Sequence, residues 1–78
     1  MKQILTHIVS SIVDGPKEVV IEETEENGMV TFTVTVAKDD MGKVIGKEGR
    51  IIRAIRNVMK IPAIKQGKKI NITLSETS

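Results

Sequence analysis

From Ile4 to Val13 the apolar residues fall at positions 4, 5, 8, 9, 12 and 13, one wide stripe at the spacing of an α-helix. The stripe stops at Asp14-Gly15-Pro16, where the glycine is suited to cap a helix and the proline cannot continue one. Beyond it the period changes. Glu18 to Glu26 and Met29 to Ala37 carry many β-branched residues and are separated by Asn27-Gly28, the pair that fills the two positive-φ positions of a type I′ hairpin. In the second arm Val30, Phe32, Val34 and Val36 alternate with Thr31, Thr33 and Thr35, which predicts one buried face and one wet face. Asp39 and Asp40 precede a short helical stretch, Met41 to Ile45, with Asp40 placed as its N-cap. Apolar positions 51, 52, 55, 58 and 59 restore helical spacing from Arg50 to about Ile61, and Pro62 either ends or kinks that helix. Gln66-Gly67-Lys68 turns the chain, Ile70, Ile72 and Leu74 alternate with Asn71 and Thr73 as a third strand, and Glu76 to Ser78 reads as a frayed tail.

The predicted fold is α+β, in the order α-β-β-α-α-β. Strands one and two form an antiparallel hairpin, and the helical crossover lays strand three parallel to strand two. The result is a three-stranded mixed sheet, Met29 to Ala37 at its centre, covered on one face by three helices. With 78 residues the chain forms a single domain over 1–78, expected to be ordered from about 2 to 75. A domain of this size hides only about 60% of its unfolded surface and has no room for a large catalytic cavity.

Composition narrows the chemistry. Cysteine is absent and His7 is the single histidine, which excludes disulfides and thiolate zinc sites and argues against a histidine metal site or catalytic pair. The expectation is therefore no enzyme, no metal and no cofactor. Glu22, Glu23, Glu25 and Glu26 lack the glycine and the Asp/Asn spacing of a calcium loop and read as a solvated strand end. Thr6, His7, Ser10 and Ser11 interrupt the first apolar stretch, so neither a signal-peptide core nor a membrane span is read there, and a cytoplasmic protein is expected.

The net charge is only +2, but it is unevenly spread: residues 1–40 hold three basic and eight acidic residues, and 41–78 hold nine basic and two acidic. The second half is the one suited to a polyanion. Its charges gather around Val44-Ile45-Gly46-Lys47-Glu48-Gly49-Arg50-Ile51-Ile52, where two glycines three apart join two helical segments. Such a turn brings backbone N–H groups and a helix N-terminus to one point, which attracts phosphate. Without Cβ atoms Gly46 and Gly49 can reach positive φ and admit a sugar-phosphate chain. Lys43, Lys47, Arg50 and Arg53 are the better candidates for phosphate contact, Arg56 and Lys60 the lesser, while Glu48 shifts the weight from side-chain charge to backbone donors. Taken alone, a Gly-x-x-Gly is more often a plain helix connection; the flanking helices, the basic residues and the preceding strand pair favour a phosphate loop. The phosphate loop of nucleotide hydrolases is excluded, because it needs four residues between its glycines and a Ser or Thr after its lysine. One Phe and no Trp or Tyr argue against a surface that stacks bases on aromatics.

The nine-residue stretch resembles the GxxG loop of a KH domain, whose pattern of two aliphatics, Gly, two free positions, Gly, two residues and an aliphatic is met by Val44, Ile45, Gly46, Gly49 and Ile52. That module clamps about four nucleotides of single-stranded nucleic acid. The element order is that of the type II KH fold. Across residues 1 to 75, and in Val13-Asp14-Gly15-Pro16 and Asp40 to Arg50 above all, the chain resembles the small bacterial single-KH proteins of the KhpA family. Pro62 departs from them, since relatives tend to have alanines there. The resemblance implies a cytoplasmic protein that binds single-stranded RNA with little sequence preference, acts in RNA fate as a chaperone or post-transcriptional regulator, and forms a homodimer or a heterodimer with a larger KH-containing partner. It also implies a groove running from Gly42, Val44 and Ile45 through Gly46, Lys47, Glu48 and Gly49 to Arg50, Ile52 and Arg53. At the spacings of Ile45 and Ile52 a core role and a base-receiving role both stand. The alternative is an interaction adaptor or dimerisation module in cell growth or division control with weak RNA binding, motivated by Ala63 and Ile64 beyond Pro62.

Overall fold

A computed structural model describes residues 1–76. Helix α1 spans Lys2–Ile12, β1 Val20–Glu26, β2 Met29–Val36, α2 Met41–Ile45, α3 Arg50–Lys65 and β3 Lys69–Glu76. The order is the predicted one, and the sheet runs β1-β2-β3 with β2 at its centre, antiparallel to β1 and parallel to β3.

The periodicities become burial directly. Leu5 and Val9 of the α1 stripe are fully buried, with Ile8 and Ile12 packed at their margin. On β2 all of Val30, Phe32, Val34 and Val36 are shut off from solvent. Ile72 stands opposite Phe32 in the β2–β3 register, and Met59 of α3 completes the centre of the core. The hairpin turns at Asn27 (φ 52°) and Gly28 (φ 79°), both left-handed as a type I′ turn requires.

Five local expectations are corrected. Helix α1 does not end on a glycine cap: Val13 is already extended (φ −93°, ψ 155°) and Gly15 lies at φ −112°. Pro16 instead starts a 3-10 turn over Pro16–Glu18, so β1 begins at Val20 rather than Glu18. Asp40 does not cap α2. Its backbone is already helical (φ −94°, ψ −10°), whereas an N-cap side chain needs extended backbone to fold back onto its helix. Helix α3 runs through Pro62 for one more turn, to Lys65. That turn is held by a buried Ala63 and a Schellman closure, in which Gly67 (φ 69°) donates to the Ile64 carbonyl at 3.0 Å and Lys68 to the Ala63 carbonyl at 2.8 Å. Finally Glu76, expected in the tail, pairs with Val36 at the end of β3. The rest of that tail, Thr77 and Ser78, lies outside the described residues.

Candidate nucleic-acid interface

The loop between α2 and α3 is built from three residues at positive φ. Gly46 (φ 76°, ψ 174°) turns the chain out of α2, a 3-10 turn over Lys47–Gly49 follows with Glu48 at φ 57°, and Gly49 (φ 74°, ψ 17°) leads into α3. The Gly46 N–H donates back to the Gly42 carbonyl (2.8 Å), the Gly49 N–H to that of Gly46 (3.2 Å), and the Arg50 N–H to that of Lys47. The N–H groups of Lys47 and Glu48 lie between those closures, on two exposed residues. Two exposed residues of this turn thus sit beside the N-terminus of a helix of 16 residues, an arrangement suited to an anion.

Gly46 has a reason for lacking a side chain that the sequence does not display. A Cβ there would lie 2.5 Å from Cγ1 and 2.8 Å from Cβ of Ile51. The first close approach at Gly46 is therefore to Ile51 of the same chain. At Gly49 a Cβ would first meet Ile52 at 4.0 Å, so the space outside that residue is open.

The candidate residues divide by environment. Lys47, Arg50 and Arg53 are exposed, as is Gly42 on α2. Arg50 lies 3.9 Å from the Glu48 carboxylate with both side chains more than 70% exposed, a pair that water and salt weaken readily. Lys43 is not free: its ammonium donates to Asp14 Oδ2 and stands 3.9 Å from Asp40 Oδ1. That hydrogen bond, joined by the charges of Asp14 and Asp40 and opposed by desolvation, raises the Lys43 pKa above its ordinary value. Val44 is fully buried and Ile52 is 8% exposed, so both face the core; helix spacing alone cannot tell which aliphatic of the stripe points inward. Ile45 is half-buried and keeps one face toward solvent. Arg56 donates to the Ile72 carbonyl at 3.2 Å and ties α3 to β3.

Sequence reasoning missed two features here. One is an open apolar groove of about 610 Å³ between α1 and α3, lined by Ile8, Ile12, Ile51, Ala54 and Val58, with His7 and Arg50 at its edges. Its residues belong to the two helical stripes, but only the packing of α1 beside α3 makes them neighbours. The other is Asp40, 4% exposed, whose carboxylate accepts the N–H groups of Asp14 (3.2 Å) and Gly15 (3.0 Å) and fastens the α1–β1 connection to the start of α2. No cluster of three or more potential metal ligands occurs among the described residues, and no described helix is long and apolar enough to cross a membrane.

A Gly-x-x-Gly loop between two helices, on a three-stranded mixed sheet covered by three helices, is the type II KH arrangement. The chain belongs to the KhpA/KhpB KH-domain family, whose model, described as "KhpA/KhpB, KH domain", matches residues 2–74. Among its relatives, proteins named RNA-binding protein KhpA are 46% identical in Oceanobacillus iheyensis and 45% identical in Clostridium acetobutylicum, each over 95% of this chain and 99% of the relative. A protein of the same name from Chlamydia trachomatis is 41% identical over 97% of both chains. The family is a KH family without enzymatic activity. The fold is also found in the crystal structure of Aquifex aeolicus Era Y63A bound to GDP.AlF4- (TM-score 0.65, 14% identity) and in Era in complex with MgGDPNP and nucleotides 1506-1542 of 16S ribosomal RNA (TM-score 0.58, 15% identity). The likeness covers 95% of this chain and under a third of each Era chain, and at these identities it concerns the fold alone.

Proposed function

We propose that this protein binds single-stranded RNA without catalysis, gripping the phosphate backbone with the Gly46–Gly49 loop. The observation that carries the reading is the exposed turn at Lys47 and Glu48, entered and left through Gly46 and Gly49 at positive φ, at the start of α3. The backbone N–H groups of Lys47 and Glu48 donate to one phosphate, while Lys47, Arg50 and Arg53 supply exposed positive charge along the same strand. Gly42 leaves open space beside α2 for the backbone, and the solvent-facing side of Ile45 meets a base. Buried Val44 and Ile52 hold the two helices that present the loop rather than touching the ligand. The relatives' name, RNA-binding protein, supports RNA over other polyanions. Contacts that are mostly to phosphate give low sequence preference, which suits a cytoplasmic RNA chaperone or post-transcriptional regulator.

Fluorescence anisotropy with a labelled oligouridylate tests the reading. With two to four phosphates neutralised, log affinity falls with log salt at a slope of roughly −1.4 to −2.8. The double variant Lys47→Asp/Glu48→Asp loses binding. A flat salt response, or full affinity in the double variant, sinks the proposal.

A second reading, compatible with the first, is self-association or pairing with a larger KH-containing protein. It is favoured by Val58 (46% exposed), Ile61 (58%) and Ile64 (73%) on the outer side of α3; Ala63, grouped with Ile64 in the sequence reading, is buried. Two linked loops on one strand would bind with avidity. Sedimentation at rising concentration separates a dimer from a monomer.

A further inference from the structure

Of the basic residues gathered near the loop, Lys43 is the one already occupied. It lies on α2, one turn before Gly46, and donates to Asp14 Oδ2. Asp14 comes from the end of α1, 29 residues earlier, and is brought there by Asp40. The Asp40 carboxylate accepts the Asp14 and Gly15 N–H groups, one on each oxygen, and stands 3.9 Å from the Lys43 ammonium. Asp40 is thus committed to the backbone, and Asp14 is the carboxylate that holds the cation. The Asp14 side chain is 82% exposed, that of Lys43 43%, and the Asp14 carboxylate has no other polar partner among the described residues. The pair therefore lies where a polyanion can reach it, and Lys43 has beside it, apart from Asp14, the Asp40 carboxylate at 3.9 Å.

We propose that Asp14 is an intramolecular competitor for the phosphate that Lys43 would otherwise bind, so that this one carboxylate sets the strength and the salt dependence of RNA binding. The inference rests on the reading of the adjacent loop as a phosphate site. While Asp14 holds the ammonium no phosphate does, and the strand goes without that contact, a difference on the scale of one exposed ion pair. Phosphate and Asp14 offer Lys43 the same kind of acceptor, an anionic oxygen, so the exchange is a substitution at one ammonium. Removing Asp14 leaves the fold intact, because its N–H, not its carboxylate, makes the bond to Asp40.

The test compares the wild type, Asp14→Asn, Lys43→Gln and the double variant by anisotropy with a labelled oligouridylate over a salt series. Asp14→Asn should tighten binding roughly two- to fivefold, the scale of an exposed ion pair. Its salt slope should steepen by about 0.7, one further phosphate on a single strand. Lys43→Gln should change little by itself and should erase the whole gain in the Asp14→Asn background. No gain in Asp14→Asn overturns the proposal. So does a gain that persists in the double variant, which would mark a general change of charge rather than release of Lys43. A wild type that does not bind at all overturns the loop reading instead. The hold is then judged without RNA, from the Lys43 13Cε titration: a pKa that falls toward the ordinary lysine value in Asp14→Asn supports it, and an unchanged pKa refutes it.

Discussion

Gly46→Ala is the substitution whose consequence the geometry fixes most sharply. At φ 76° and ψ 174° the residue occupies a region essentially reserved for glycine, where a side chain costs about 1–3 kcal/mol. The added methyl would also lie 2.5 Å from Cγ1 and 2.8 Å from Cβ of Ile51. A Cβ is fixed to its backbone and cannot swing aside, so relief requires moving the first turn of α3, an overpacking cost of about 1–3 kcal/mol. Together the two come to about 2–6 kcal/mol, set against a stability of about 4–12 kcal/mol for a domain of 78 residues. The neighbouring glycines are internal controls. Gly49→Ala pays only for its left-handed backbone, about 1–2 kcal/mol, since nothing lies nearer than 4.0 Å. Gly42→Ala, on a helix and in open space, gains about 0.5–1 kcal/mol. Urea unfolding with m held common orders the three. Adding Ile51→Ala to Gly46→Ala should recover part of the loss, whereas the same change in the wild type destabilises. A Gly46→Ala protein as stable as Gly49→Ala, or no coupling between positions 46 and 51, would refute the reasoning.

Three further outcomes follow from the same structure. Asp40→Ala strands two backbone N–H groups at the α1–β1 connection and should cost about 2–4 kcal/mol in urea unfolding, with protection from hydrogen exchange lost first at Asp14 and Gly15. Phe32→Ala, at a position with no solvent exposure, should cost about 3–5 kcal/mol, read as a lowered midpoint in urea unfolding. The raised pKa of Lys43 means that its pairing stabilises the fold fully below the unfolded value of 10.5 and is lost as pH rises through the folded value; the small deficit of Lys43→Gln should hold across neutral pH and vanish in strong alkali, as pH-dependent unfolding curves of the two proteins would show.

The sheet was legible because period two is unambiguous when it is carried by valines and a phenylalanine, and because Asn27-Gly28 names its own turn. The turn between the two helices was legible from Gly46 and Gly49 taken together with the helical stripes, the basic residues and the strand pair around them. What escaped depends on partners distant in sequence. Asp40 looked like a cap because a cap is the nearest use for a carboxylate before a helix, while its real partners are Asp14 and Gly15. Lys43 looked like a phosphate ligand because Asp14 is remote in the chain. Pro62 read as either an end or a kink because proline removes a local hydrogen bond, and burial of Ala63 and the closure at Gly67 outweigh that loss, so the helix continues. At Ile52 a core role and a groove role both stood, and burial of Val44 and Ile52 became visible only in the packing, since an amphipathic stripe does not say how wide its buried portion is.

The central claim, that the Gly46–Gly49 loop is the working surface, is tested most directly by an amide NMR titration of the protein with a short single-stranded oligouridylate at low salt. The account predicts shifts at Lys47, Glu48, Gly49 and Arg50, silence at Thr31, Thr33, Asn71 and Thr73 on the open face of the sheet, and no response in the Lys47→Asp/Glu48→Asp variant. Shifts centred on the open sheet face, or none anywhere, would contradict it.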